Sequence, residues 1–186
     1  MPLVSSGKDS RQDYGTPKEF MTAFARAFGT AGFDLAAHSQ NTKAPRYFNR
    51  RQNALSKSWH DINLEPGHKL WLNPPFSNIR PWAEKSAAES KLGASIHMLT
   101  PASVGSRWHE EFVFGKADTF FLIGRIKFVG AKDPYPRDCM LTVFSPRSLG
   151  ETFLWNWQDG YMLNPRREKF ADVHASILHA TNKEAV

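Results

Sequence analysis

The sequence predicts an α/β fold in which an abbreviated, doubly wound sheet carries helices on its faces. Three observations predict it. Short runs rich in β-branched and aromatic residues alternate with stretches whose apolar residues recur at helical spacing. The run Leu70-Trp71-Leu72 is halted by Pro74 and Pro75, neither of which has an N–H to donate to a ladder. Only roughly forty residues separate Asp34 from Asn73, too few for the strand–helix pairs of a complete nucleotide-binding half.

Each element can be justified in turn. Residues 1–12 are small and polar and predict a disordered leader, so ordered structure is expected from Asp13. Thr16-Pro17 predicts a helix start, with Thr16 as N-cap, Pro17 in the first helical position and Phe20, Phe24, Ala27 and Phe28 as the buried stripe. Gly29 to Gly32 break that helix, and Gly32-Phe33-Asp34-Leu35-Ala36-Ala37 predicts a short strand ending in small residues. Residues 41–57 are polar and basic, with Lys43, Arg46, Arg50, Arg51 and Lys57 interleaved with Tyr47 and Phe48. This pattern fits phosphate contacts and base stacking, or a solvated loop.

Leu70 to Leu72 then form a buried strand whose turn leaves the sheet at its carboxyl edge. Residues 79–92 predict a helix, with Pro81 near its start, Gly93 past its end, and Ala83, Ala87 and Ala88 packing closely on the sheet. Ser95 to Leu99 predict a strand, and residues 106–114 a short helix opening with Arg107 and Trp108. Thr119 to Ile123, Ile126 to Val129 and Met140 to Phe144 carry strand composition. Residues 130–138 form a loop stiffened by Pro134 and Pro136 and carrying Lys132 and Arg137. Trp155, Trp157, Tyr161 and Met162 form an aromatic patch suited to a core edge or a dimer contact, and a helix carrying Arg166, Arg167 and Lys169 is expected to run to about His179. The expected organisation is a leader (1–12), one domain (13–150) and an extension (151–186) packed on it.

Composition narrows the classes. The 186 residues, 41% hydrophobic and 13% aromatic, suffice for one substantial core. Lys and Arg number 24 against 18 acids, for a formal charge of +6 and a pI near 9.5, which favours a polyanionic partner. The lone Cys139 excludes an intrachain disulfide and a cysteine metal cluster, and reads as a buried small residue. The seven histidines show no ligand spacing, so no metal is expected. No signal-peptide core or bilayer-length apolar run is present, so a cytoplasmic protein, monomeric or weakly dimeric, is expected.

The chemistry centres on Asn73-Pro74-Pro75-Phe76. With φ fixed at both prolines, the Asn73 side-chain carbonyl, the Pro74 backbone carbonyl and the Phe76 ring are held together. Two acceptors and an aromatic face suit a planar conjugated amine such as adenine N6. Accepting both N–H groups localises the nitrogen lone pair, which can then attack a methyl carried on a sulfonium. Catalysis of this kind needs alignment and electrostatic stabilisation rather than a strong base.

These residues resemble the phage-type, Dam-like DNA N6-adenine methyltransferases, marked by an Asp/Asn-Pro-Pro-Tyr/Phe motif. Thr16-Pro17, Gly32-Phe33-Asp34-Leu35-Ala36-Ala37, Pro45-Arg46-Tyr47-Phe48, Ala54-Leu55…Trp59, Trp71 to Ser77 and Pro81-Trp82 run in the family's order. Met98 to Ala102, Arg107-Trp108, Gly124 to Phe128 and Met140 to Phe144 are similar to its later blocks, so the resemblance covers roughly residues 13 to 146. It implies an abbreviated Rossmann-like class I methyltransferase sheet, S-adenosyl-L-methionine as cofactor and double-stranded DNA as partner. Asn73, Pro74, Pro75 and Phe76 would be catalytic, and Thr16, Pro17 and Asp34 would flank the cofactor. Arg46, Arg50, Arg51, Lys57, Arg107, Lys132 and Arg137 would meet DNA. The family carries a second acid where this chain has Ala36, and acids near Ala54-Leu55 where it has Asn53 and Ser58. The same fold acting on RNA or a protein amide, or a catalytically weak DNA-binding protein, are the alternatives.

Overall fold

The computed structural model describes residues 15–164. The expected leader and the helix expected over Arg166 to His179 lie outside these residues. Three helices, α1 (Lys18–Phe28), α2 (Arg80–Lys91) and α3 (Arg107–Phe112), accompany eight strands: β1 (Ala31–Asp34), β2 (Arg46–Tyr47), β3 (Lys69–Leu72), β4 (Ile96–Pro101), β5 (Asp118–Ile123), β6 (Cys139–Phe144), β7 (Thr152–Asn156) and β8 (Tyr161–Leu163). All eight strands join one sheet in the order β2-β1-β3-β4-β6-β5-β7-β8. The β2-β1-β3-β4 block is parallel, β6 enters antiparallel between β4 and β5, and β7 lies parallel to β5 with β8 antiparallel at the edge. The strands β1, β3, β4, β5 and β7 therefore all point their carboxyl ends to one edge.

The middle of the sheet is buried on both sides, as parallel strands usually are. Leu70 and Leu72 of β3 enter one cluster with Trp59, Ile96 and Met98 under α2 and α3, while Trp71 enters the other with Phe20, Phe24 and Leu99 under α1. Phe20, Phe24 and Phe28 run down α1 at i, i+4 and i+8 and meet Trp71, His97 and Trp155 edge-on or tilted. Ala27, expected in that stripe, is exposed because it lies about 60° around the helix from the centre of the row. Gly29 closes α1 at φ 109°, where a Cβ would sit 2.3 Å from the Gly67 carbonyl oxygen. His97 is a core histidine: burial, assisted by nearby Lys69 and opposed by a backbone contact at Leu70, pushes it down to about 3.

Several expectations are corrected. Helix α1 begins at Lys18 with Pro17 as N-cap, so Thr16 lies outside it and makes no cap. Strand β1 ends at Asp34, because Leu35 gives one last N–H to Trp71 and the Ala37 N–H then turns to Phe48. Residues 126–129 form no strand. Ile126 and Phe128 are buried and Lys127 and Val129 exposed, but the backbone makes a bridge from Val129 to Gly15, a hydrogen bond from the Tyr135 N–H to the Ile126 carbonyl and a turn from the Ala131 N–H to the Phe128 carbonyl, with no ladder among them. Alternating burial without a neighbouring strand does not make a ladder. Ala88 faces solvent, since α2 buries Ala83, Ser86, Glu89 and Ser90 instead. The tail contributes β7 and β8, with Trp155 and Trp157 buried in the core of the same sheet.

The polar inner face of α2 has a cause. Buried Glu89 accepts from the backbone N–H groups of Trp59 and His60 at 2.9 Å each, meets His60 Nδ1 at 2.7 Å and pairs with Lys85 at 2.5 Å. It ties the irregular segment after β2 to α2. Burial works to raise its pKa, but the hydrogen bonds from Lys85, the His60 side chain and the two backbone amides prevail and hold it at about 2. Its stabilisation is therefore complete above its ordinary value of 4.5 and lost as pH falls toward 2. Glu89→Ala, which strands the buried Trp59 amide, the part-buried His60 amide and Lys85, should lower stability by about 2–4 kcal/mol, read as a reduced urea midpoint. The variant should also lose less stability than the parent between pH 4.5 and 2.

Candidate active site

The chain leaves β1 toward β2 on one side and returns across it to β3 on the other. That reversal places a crevice at the carboxyl ends of β1 and β3, where ligands collect in open α/β sheets. A cavity of ≈ 650 Å³ occupies the crevice, with Thr16, Asp34, Lys43, Arg50, Asn73 and Pro75 among its lining. Leu35, Phe48, Trp71 and Trp82 give it apolar walls, and Ala36 and Ala37 leave room beside Asp34. A mostly apolar cleft with a few converging polar groups suits an organic ligand of nucleoside size.

The proline turn forms one wall. Pro74 is buried beneath it, and the Asn78 N–H closes it onto the Pro75 carbonyl at 3.3 Å before α2 begins. The Asn73 amide nitrogen donates to the Thr16 hydroxyl at 3.2 Å. Thr16 is itself fixed, because the Val129 N–H donates to the Gly15 carbonyl at 2.8 Å. The Phe76 centroid lies 5.8 Å from Phe128 and 5.5 Å from Tyr135, with their planes at 68° and 65° to its own, so neither ring stacks flat on it. Three segments distant in sequence thus hold the turn, and the Asn73 amide nitrogen is committed to Thr16.

Asp34 forms the opposite wall. One carboxylate oxygen accepts from the Ala36 N–H at 3.2 Å and the other from the Lys43 N–H at 2.9 Å, so the side chain folds the loop around itself. Burial raises its pKa to about 6 against the lowering effect of those two N–H groups and the Lys43 charge. Burial also lowers the Lys43 pKa, with Asp34 opposing. Asn49 caps a 3-10 turn over Arg50–Gln52 through a capping box, and Asn53 follows at φ 46°. Both asparagines line the cavity.

The sequence-predicted residues divide accordingly. Thr16, Asp34, Asn73, Pro75 and Arg50 meet at the cavity, Pro74 is buried under the turn, and Phe76 packs with Phe128 and Tyr135 against the core cluster under α1, outside the cavity lining. Pro17 lines a separate cleft. Arg46 is engaged elsewhere: it donates to the Asn63 carbonyl at 2.7 Å and lies over the Phe33 ring. Arg51 and Lys57 are exposed along the segment that rims the cavity, and Arg107, Lys132 and Arg137 are exposed beyond the carboxyl ends of β4 and β5. Sequence reasoning missed Trp82, Asn49, Asn53 and Tyr135. Pro81-Trp82 was a visible signal for the first of these, while the others depend on tertiary placement.

The fold and site define a class, a mixed α/β protein whose ligand cavity opens at the carboxyl edge of parallel strands beside a rigid Asn-Pro-Pro turn. Residues 5–140 match the family described as DNA N-6-adenine-methyltransferase (Dam), and the chain belongs to that family. It is 25% identical over 157 residues to the DNA N-6-adenine-methyltransferase of Haemophilus phage HP1, covering 80% of this chain and 87% of that protein. It is also 26% identical over 101 residues to the protein of the same name in Escherichia phage T1, covering 54% of this chain and 40% of that one. Among the described residues no group of three His, Cys, Asp or Glu could hold a metal, and no helix is long and apolar enough to cross a membrane.

Asp34 gives a direct test of the buried wall. Its carboxyl carbon, followed by NMR, should titrate near pH 6 rather than near 3.8. Because the folded value lies above the unfolded one, Asp34 should make the protein less stable as pH rises from about 4 to 6, the reverse of Glu89.

Proposed function

We propose that the protein transfers a methyl group from S-adenosyl-L-methionine to N6 of an adenine extruded from double-stranded DNA into the pocket beside Asn73-Pro74-Pro75-Phe76. The observation that carries this reading is the amide of Asn73 anchored through its nitrogen to Thr16, at the rim of a cavity of nucleoside size. The strand order, with its reversal between β1 and β3 and its antiparallel β6, supports an abbreviated Rossmann-like class I methyltransferase sheet.

The residues present fit the methyl donor. Asp34 offers a buried carboxylate to a cationic ligand, Lys43, Asn49 and Asn53 offer polar contacts, and the apolar walls suit a purine. When bound, S-adenosylmethionine supplies an electrophilic methyl on a positively charged sulfur. The chain's own groups handle the acceptor. The Asn73 side-chain carbonyl and the Pro74 backbone carbonyl accept the two N6 hydrogens, which turns the nitrogen lone pair away from the ring. Phe76, braced by Phe128 and Tyr135, presents a face for the base. Extrusion is required because N6 in a base pair cannot offer its lone pair to the donor. The exposed cations Arg50, Arg51, Lys57, Arg107, Lys132 and Arg137 surround this edge and support phosphate contacts.

Incubation with labelled S-adenosylmethionine and unmethylated duplex DNA should yield N6-methyladenine, and transfer to RNA or protein alone would overturn the proposal. Asn73→Ala should lower kcat by about 10²–10³-fold with donor affinity by calorimetry retained. Donor affinity should rise with pH up to about 6 and then level, since a cationic ligand binds the ionised Asp34, falling about tenfold per unit below that value. Asp34→Asn should bind more weakly and lose this dependence.

A further inference from the structure

A second cleft, of ≈ 410 Å³, shares no lining residue with the candidate active site. The exposed face of α1 supplies Arg26 and Glu19, the loop after β5 supplies Arg125 and Lys127, and the turn after β7 supplies Trp157 and Gln158. Three cations face one acid. Among the described residues neither Arg26 nor Lys127 has a carboxylate within 4.0 Å. Arg125 reaches Asp138 at 3.7 Å, but both side chains are more than half exposed, so that pair is weak and open to exchange. The Trp157 indole, buried and donating to the Gly124 carbonyl at 3.4 Å, fixes one wall.

Placement relates this cleft to the first. Since β5 and β7 run in the direction of β3, the loops bearing Arg125, Lys127 and Trp157 leave the sheet at the edge that bears Asn73. Thr16 lines the cavity while the next residue, Pro17, lines the cleft. Lys127 immediately precedes Phe128, which packs on Phe76. We infer that Arg26, Arg125 and Lys127 form a phosphate-binding cleft that grips the DNA backbone flanking the extruded base. The inference rests on DNA being the substrate, and it adds a contact surface on α1 and the loop after β5 to the basic residues considered above.

Arg26→Ala/Lys127→Ala tests it, since both side chains are exposed and their loss leaves the core untouched. Binding of the full chain to unmethylated duplex DNA would be followed by fluorescence anisotropy across a salt series. Loss of two phosphate contacts should weaken affinity at least tenfold at moderate salt and flatten the slope of log K against log[salt] by roughly 2. In turnover, KM for DNA should rise while kcat at saturating DNA is kept. Lys91→Ala, at the opposite edge of the sheet at the end of α2, should change neither. An unchanged slope in the double variant, or an equal loss in Lys91→Ala, would overturn the inference. A wild-type chain that binds duplex through this cleft yet forms no N6-methyladenine would instead uphold the cleft and overturn the methylation reading.

Discussion

Burial of β3 on both faces is the constraint on which the rest of the structure depends. Leu70 and Leu72 must face one apolar cluster and Trp71 the other, so a helix layer is needed on each side of the sheet. A strand so placed can end only where the backbone stops needing partners. Pro74 and Pro75 impose that end at one fixed point, the carboxyl edge beside β1, where the chain has just reversed its winding direction. The reactive-looking turn is therefore a consequence of core packing, and its rigidity comes from the same burial that stabilises the sheet.

The wall opposite the turn is built by different means. Between Asp34 and Lys69 the described chain has a two-residue strand and two 3-10 turns, too little regular structure to satisfy its own backbone. Two carboxylates do that work. Asp34 accepts from Ala36 and Lys43, and Glu89 accepts from Trp59 and His60. Their environments drive them apart: burial dominates at Asp34 and raises it to about 6, whereas Lys85 and His60 overcome burial at Glu89 and leave it near 2. A carboxylate with a depressed pKa serves structure throughout the neutral range. One poised near 6, opening on a cavity, can exchange a proton for a cationic ligand.

How much of this could be seen in the sequence follows from how local each cause is. The turn at Asn73 and the start of α2 were legible because proline acts within one or two residues. The strand cores β3, β4 and β6 were legible because apolar residues dominate them, with only His97 and Thr142 set inside the runs of residues 96–99 and 139–144. Thr16 shows where locality misleads: its position suggested a cap, but its hydroxyl serves Asn73, fifty-seven positions later, and helix α1 starts without it. Residues 126–129 alternate like a strand because they lie along a packed surface, and they pair only through the isolated bridge of Val129 to Gly15. Strand β7 was hidden by its aromatic density, although Asn156, whose side chain accepts from the Gln158 and Asp159 N–H groups ahead of Gly160, marks a hairpin turn. Nothing near Glu89 in sequence reveals its role, since its backbone partners lie about thirty residues earlier.

The two halves of the site therefore differ in how firmly they are held. The turn at Asn73 is continuous with a central strand and is braced by Thr16, Phe128 and Tyr135, so its geometry opens only when the core does. The segment from residue 35 to 64 depends on two buried carboxylates and the anchoring of Trp59 by Ala54 and Trp82, and its opening free energy is set by those few contacts. A ligand that bridges Asp34 to the turn would order this looser wall against the rigid one. Pre-organisation is thus concentrated at the turn and adaptability at the wall around Asp34, the division that the proposed methyl transfer would use, with the acceptor amine aligned on the turn and the larger ligand entering past the looser wall.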